Sequence, residues 1–185
     1  MDEKEISLIE LVLSGKVEAF EPLVTPYRKS ILSLAFRLSR DWEDAKEISQ
    51  DTLLRAFRYL RTYDRKRSFK NWLLQILVNV WRNQQKKRAE IRSLGEFLPQ
   101  SMEGNPAEKH LQSEIRAQLL GCLDGLTPRE REVFLLRDIE DTSIKETAQI
   151  LRSSPLSVRV HLSSARKKLR ERIKEKFPHL LEGHR

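Results

Sequence analysis

"LTPREREVFLLRDIEDTSIKETAQILRSSPLSVRVHLSSARKKLRERI", residues 126 to 173, holds three helix starts, each with its own physical signature. Thr127-Pro128-Arg129-Glu130 puts a hydroxyl at the N-cap, proline at the first helical position and a carboxylate at the third. Ser143 and Glu146 repeat the capping-box spacing, and Ser154-Pro155 opens the last helix. Between the last two starts, Ile144, Ala148 and Leu151 form a short apolar stripe. After Pro155, Val158, Leu162, Ala165 and Leu169 recur at steps of four, three and four, the period of a buried helix face. A short helix, a tight turn and a longer basic helix make a helix-turn-helix.

Burying those stripes turns Arg159, Val160, Ser163 and Lys167 outward, with Arg166 and Lys168 beside them. Short hydroxyls and arginine suit base edges, while lysine and arginine suit phosphates, so the face fits duplex DNA. A solvated amphipathic helix has the same pattern, and both readings stay open on this face alone.

The 185 residues suffice for one or two small domains. A net charge of +8 and a pI near 9.7 suit a polyanionic partner. The charge is unevenly spread. Residues 1–92 carry 19 Lys+Arg against 13 Asp+Glu, residues 93–112 carry 1 against 3, and residues 113–185 carry 15 against 11. Two basic blocks are thus joined by a faintly acidic connector.

The lone Cys122 excludes a disulfide framework and reads as a small apolar filler beside Leu119, Leu120 and Leu123. No signal peptide or run of about 18 apolar residues is visible, so a cytoplasmic location without membrane contact is expected. His110, His161, His179 and His184 lack ligand spacing, which argues against a metal site. No phosphate-cradling glycine loop, H-E-x-x-H, G-x-S-x-G or Cys/His pair is present, so neither catalysis nor a cofactor is expected.

From the start of the chain, Glu5 to Leu13 reads as a short amphipathic helix ended by Gly15. Glu18 to Leu38 follows as a helical stretch, with Pro22 and Pro26 confining an irregular part to its first third. Ile31, Leu34, Ala35 and Leu38 form its buried stripe.

In "DWEDAKEISQDTLLRAFRYL", residues 41–60, Ala45, Ile48, Thr52, Leu53, Ala56 and Leu60 share one helix side. Glu47, Gln50, Asp51, Leu54 and Arg58 share the other. An acidic face with an apolar centre, in so basic a chain, suits a protein partner better than DNA. A solvated helix with one stray leucine is the plainer alternative.

In "YDRKRSFKNWLLQILVNVWRNQQKKR", residues 63–88, Leu73, Ile76, Leu77 and Val80 form the inner side. Gln75, Asn79, Arg82 and Lys86 form a polar stripe opposite, bordered by Trp72 and preceded by Arg65, Lys66 and Arg67. Amides, guanidinium groups and an aromatic ring suit unstacked bases, which need stacking and edge contacts as well as charge. Equally, Trp72 and Trp81 can be ordinary hydrophobic-core residues. Residues 92–110 lose helical pattern, with Gly95, Pro99, Gly104 and Pro106, and read as a linker. Asn105-Pro106-Ala107-Glu108 resembles another helix start, and a helix from about Glu114 to Leu123 leads into the helix-turn-helix.

Taken together, "EAFEPLVTPYRKSILSLAFRLSRDWEDAKEISQDTLLRAFRYLRTYDRKRSFKNWLLQILVNVWRNQQKKR", a linker, and "LTPREREVFLLR" through "ETAQILRSSPLSVRVHLSSARKKLRE" resemble a bacterial extracytoplasmic-function sigma factor of the sigma-70 family. The resemblance runs from about Glu18 to Arg172. It implies an all-α chain of two small helical domains, residues 1–92 and 113–185, joined by a flexible linker, 93–112.

The resemblance also implies roles. The 44–57 helix matches the segment that docks on the β′ clamp helices of core RNA polymerase, which assigns Asp44, Glu47, Gln50, Asp51, Leu54 and Arg58 to polymerase docking. The 63–70 loop and the helix through Asn79 and Asn83 match the parts that open the −10 element. That adds Asn83 to Arg65, Lys66, Arg67, Trp72, Gln75, Asn79, Arg82 and Lys86 as −10 contacts. The 154–170 helix matches the −35 reader, with Arg152, Ser154, Arg159, Val160, Ser163, Arg166 and Lys167. Implied partners are the β′ and β subunits, promoter DNA and an anti-sigma factor. The linker would thread toward the polymerase active site.

The chain also departs from the family pattern. Arg152 stands where the turn often carries glycine, His161 and Ser164 stand at usual arginine positions, and Leu156 replaces threonine. Two rival readings stay open on the sequence. A dimeric helix-turn-helix regulator would leave residues 41–88 without a purpose, and a protein-only helical adaptor would make the basic faces merely solubilising.

Overall fold

The computed structural model describes residues 3–93 and 120–177, and every element in them is helical. The chain divides into two compact units on either side of the undescribed stretch. The expected linker beyond Ser93, the helix start at Asn105–Glu108, most of the 114–123 helix and the tail from Pro178 lie outside the described residues.

The N-terminal unit consists of α1 (Glu3–Leu13), α2 (Phe20–Ser39), α3 (Trp42–Tyr59) and α4 (Phe69–Ser93). Gly15, at φ 102°, turns the chain after α1. Arg40 ends α2 in the left-handed region at φ 63°, its N–H donating to the Phe36 carbonyl. Asp41 then caps α3, its carboxylate accepting from the Asp44 N–H at 2.8 Å. With so short a connection, α2 packs along α3, and α4 lies against both. The stripe Ile31, Leu34, Ala35 and Leu38 is buried as its spacing predicts, and so are Ala45, Ile48, Thr52 and Ala56.

One expectation fails here. The proline-bearing start of α2 is not irregular: the helix runs unbroken from Phe20, with Pro22 in its first turn and Pro26 inside it. A proline this close to an N-terminus removes a single i→i−4 bond, because the first four N–H groups have no intrahelical partner anyway. Burial of Leu23 and Val24 offsets that loss.

The C-terminal unit consists of α5 (Pro128–Phe134), α6 (Ile144–Leu151) and α7 (Pro155–Lys176). Both capping boxes form, with Thr127 and Glu130 on α5 and Ser143 and Glu146 on α6. Helix α5 continues into a π-helical turn at Leu135–Ile139, which the sequence pattern does not reveal. Val158, Leu162, Ala165 and Leu169 of α7 pack with Val133, Leu136, Ile150 and Leu151 as the hydrophobic core, and Cys122 is buried beside Leu123.

Candidate nucleic-acid interface

Opposite the buried stripe, the outer face of α7 presents Leu156, Val160, Ser163 and Lys167 along its centre, with Arg159 and Arg170 at one side. Arg159, Ser163, Lys167 and Arg170 line one shallow groove together with Leu162 and Arg166. Arg159, Lys167 and Arg170 make no ion pair among the described residues, so their charge is available to a polyanion.

Other expected −35 residues are placed differently. Ser154 is exposed and is the cap of α7, its Oγ accepting from the Ser157 N–H at 3.1 Å. Arg152 ends α6 in the left-handed region at φ 49°, with its side chain exposed. Its backbone takes the conformation that glycine fills at low strain, while its guanidinium stays open to solvent. Arg166 is not a free cation: its Nε and Nη2 grip the two Asp138 oxygens at 2.8 and 2.6 Å. That hydrogen-bonded pair raises the Arg166 pKa further. Ser164 and Lys168 turn toward α5 and bind the buried Glu130 carboxylate.

In the N-terminal unit, Glu47, Gln50, Leu54 and Arg58 are exposed on one face of α3. Leu54 is 46% exposed, so the apolar centre of that face is open. Asp51 is half-buried and paired with Arg55 at 2.9 Å, and Glu47 accepts from Gln84 Nε2 at 3.1 Å. Phe57 joins Leu54 at 38% exposure, its ring packed edge-on against Phe20. The sequence reading omits it from this face, although its position three residues after Leu54 is the signal that places it beside that leucine.

Asp44 is placed otherwise than its assignment to the docking face requires. Its side chain is buried and held by Arg88 of α4, and burial, only partly opposed by Arg88, raises its pKa. It fastens α3 to α4 from inside.

The loop and polar stripe of α4 come together only in part. Asn83 and Lys86 are exposed, while Gln75, Asn79 and Arg82 are half-buried. Arg67 donates to Gln75 Oε1 at 3.4 Å, tying loop to helix. Arg65 is paired with Glu10 of α1 at 2.8 Å, and Lys66 is exposed. Trp72 is not an open stacking platform: it is 9% exposed and its ring lies against Tyr63 and Phe69. Burial, followed by the carboxylates of Glu5 and Asp64, pushes the Tyr63 hydroxyl up to about 12. This aromatic cluster sets the shape of the loop rather than offering a free ring.

Residues 23–91 match the family Sigma-70 region 2, and residues 116–169 match Sigma-70, region 4. The RNA polymerase sigma-E factor of Streptomyces coelicolor is 32% identical over 86% of this chain and 88% of its own length. The chain belongs to the sigma-70 family. The ECF RNA polymerase sigma factor SigE of Mycolicibacterium smegmatis is 31% identical over 83% of the chain, which spans 61% of that relative's length. A solved structure of the sigma factor RpoE with the anti-sigma factor NepR, from Bartonella quintana, has the same fold. It aligns with a TM-score of 0.70 at 24% identity, over 84% of this chain and 96% of that one. The curated relatives that it matches are named as RNA polymerase sigma factors. No described helix is long and apolar enough to cross a membrane.

Proposed function

We propose that this sigma factor binds core RNA polymerase through the outer face of α3, opens the −10 element with the 63–70 loop and the polar side of α4, and reads the −35 element with α7. Docking falls to Glu47, Gln50, Asp51, Leu54, Phe57 and Arg58, against the β′ subunit, with β as a further contact. Arg67, Asn79, Arg82, Asn83 and Lys86 hold the opened strand, Trp72 keeps the loop in shape, and Arg159, Val160, Ser163 and Lys167 meet the duplex. Residues 1–92 and 113–185 act as the two functional domains, with 93–112 passing toward the polymerase active site. The factor works in the cytoplasm. An anti-sigma protein that covers its docking faces restrains it, a reading supported by the Bartonella sigma factor, which was solved in complex with the anti-sigma factor NepR.

The observation that carries this reading is one chain with two unlike surfaces. Leu54 and Phe57 stand among acidic and polar groups on α3, and Arg159, Lys167 and Arg170, which make no ion pair among the described residues, line α7. A protein partner fits the first and a polyanion the second. A pair of separation-of-function variants tests it. Asp51→Arg weakens binding to core polymerase, and Arg159→Ala loses −35 recognition while polymerase binding survives. Full polymerase affinity in Asp51→Arg contradicts the docking assignment, and unchanged promoter recognition in Arg159→Ala contradicts the assignment on α7.

A further inference from the structure

Two side chains at the centre of the α7 face are left unexplained by phosphate binding. Leu156 is 68% exposed and Val160 58%, and they stand one helical turn apart in the first six residues of the helix. The hydrophobic core does not use them. Helix α7 fills it from the opposite side with Val158, Leu162, Ala165 and Leu169. Large aliphatic groups held in water gain about 25 cal/mol for each Å² that a partner covers, so they favour a partner that brings apolar surface.

Their surroundings say what that partner is. Arg159, Ser163 and Lys167 flank the pair on the same face, and Arg152 is exposed just before the helix. Arg159 and Lys167 make no ion pair among the described residues. Apolar surface must therefore arrive on a polyanion. The major groove of DNA offers this combination, because thymine alone among the four bases places a methyl group there. The N-terminal residues of a recognition helix are also those that reach base edges. Four residues of helix rise about 6 Å, close to two base steps of 3.4 Å.

We propose that Leu156 and Val160 read thymine C5-methyl groups in the −35 element, giving this helix a base preference of apolar origin. The inference rests on the proposed −35 role of α7 and adds what that helix selects. Neither side chain can donate or accept a hydrogen bond, so their discrimination is for the methyl group itself.

The test replaces thymine by deoxyuracil, which removes only that methyl. Holoenzyme made from the full chain and bacterial core polymerase first selects promoters from a random library. Each thymine of the selected −35 element is then exchanged singly, and binding is measured. Two positions are expected to lose about fourfold each, the value of one buried methyl. Leu156→Ala is expected to erase the loss at one position and Val160→Ala at the other. Since both side chains are exposed, both variants fold, with far-UV dichroism as the check. Binding indifferent to deoxyuracil throughout overturns the proposal, as do losses that persist in both variants. So does loss of a protein partner in Leu156→Ala while thymine discrimination is intact. A holoenzyme that selects no promoter contradicts the sigma reading as well, whereas one that selects promoters but ignores the methyl contradicts this inference alone.

Discussion

Ser164 of α7 donates its hydroxyl to Glu130 Oε1 at 2.6 Å. The same carboxylate takes Lys168 Nζ at 2.9 and 2.8 Å and accepts the Thr127 N–H at 2.9 Å. These bonds fasten α7 to the start of α5. Burial alone would push the Glu130 carboxyl up, but the bonds from Lys168, Ser164 and Thr127 outweigh it and hold the group at about 2.

A lowered carboxyl pKa stabilises the fold above its ordinary value of 4.5, and that contribution is lost as pH falls toward 2. The C-terminal unit is therefore expected to weaken through this window, and Glu130→Gln to remove most of the dependence while costing about 1–3 kcal/mol at neutral pH. All three tryptophans and all three tyrosines lie within residues 27–81, so fluorescence follows the N-terminal unit only. Amide exchange across 120–177 checks the prediction, and the fluorescence transition should not move.

Asp44 carries the opposite sign. Its raised pKa means that its ionisation opposes folding as pH rises through the folded value. Asp44→Asn, which retains an acceptor for Arg88, is expected to keep or slightly raise the stability of the N-terminal unit at pH 7. Polymerase affinity should stay within about twofold of the parent, because the side chain is buried away from the docking face. Tryptophan-monitored urea unfolding and a polymerase titration read the two effects separately.

The grip of Asp138 on Arg166 predicts a gain of DNA affinity on its removal. Asp138→Asn is expected to release the guanidinium, tighten duplex binding several-fold and steepen the salt dependence by about one unit of slope. Binding isotherms across a salt series decide it, and an unchanged slope would mean that Arg166 stays away from the phosphates.

Arg152 combines strain with charge. Arg152→Gly is expected to relieve the left-handed backbone and stabilise the C-terminal unit by roughly 0.5–1 kcal/mol. It should also weaken duplex binding uniformly across sequences, lowering the salt slope by about one. A loss restricted to particular base pairs would mean that Arg152 reads bases.

Local rules are the legible ones in this chain. Thr127, Ser143 and Ser154 cap their helices as their spacing predicts, because a cap is decided within four residues. The apolar period of α7 places its buried face, and the same period places Leu54 outside on α3. Tertiary pairing is not legible. Nothing adjacent in sequence announces that Asp44 meets Arg88, that Arg166 meets Asp138, or that Trp72 is enclosed by Tyr63 and Phe69. A helical period makes every charged residue on an outward face look free, and the structure shows that several are already engaged. Leu156 does not stand out by periodicity, which marks the residues that are buried and says little about an apolar residue left outside.

Run-off transcription with purified bacterial core polymerase and a promoter library is the decisive experiment for a sigma factor of this design. Adding the full chain is expected to yield stable holoenzyme and transcripts confined to promoters sharing two elements at fixed spacing, with Arg159→Ala losing that selectivity. A chain that neither associates with core polymerase nor changes which promoters are transcribed would contradict the assignment of both surfaces.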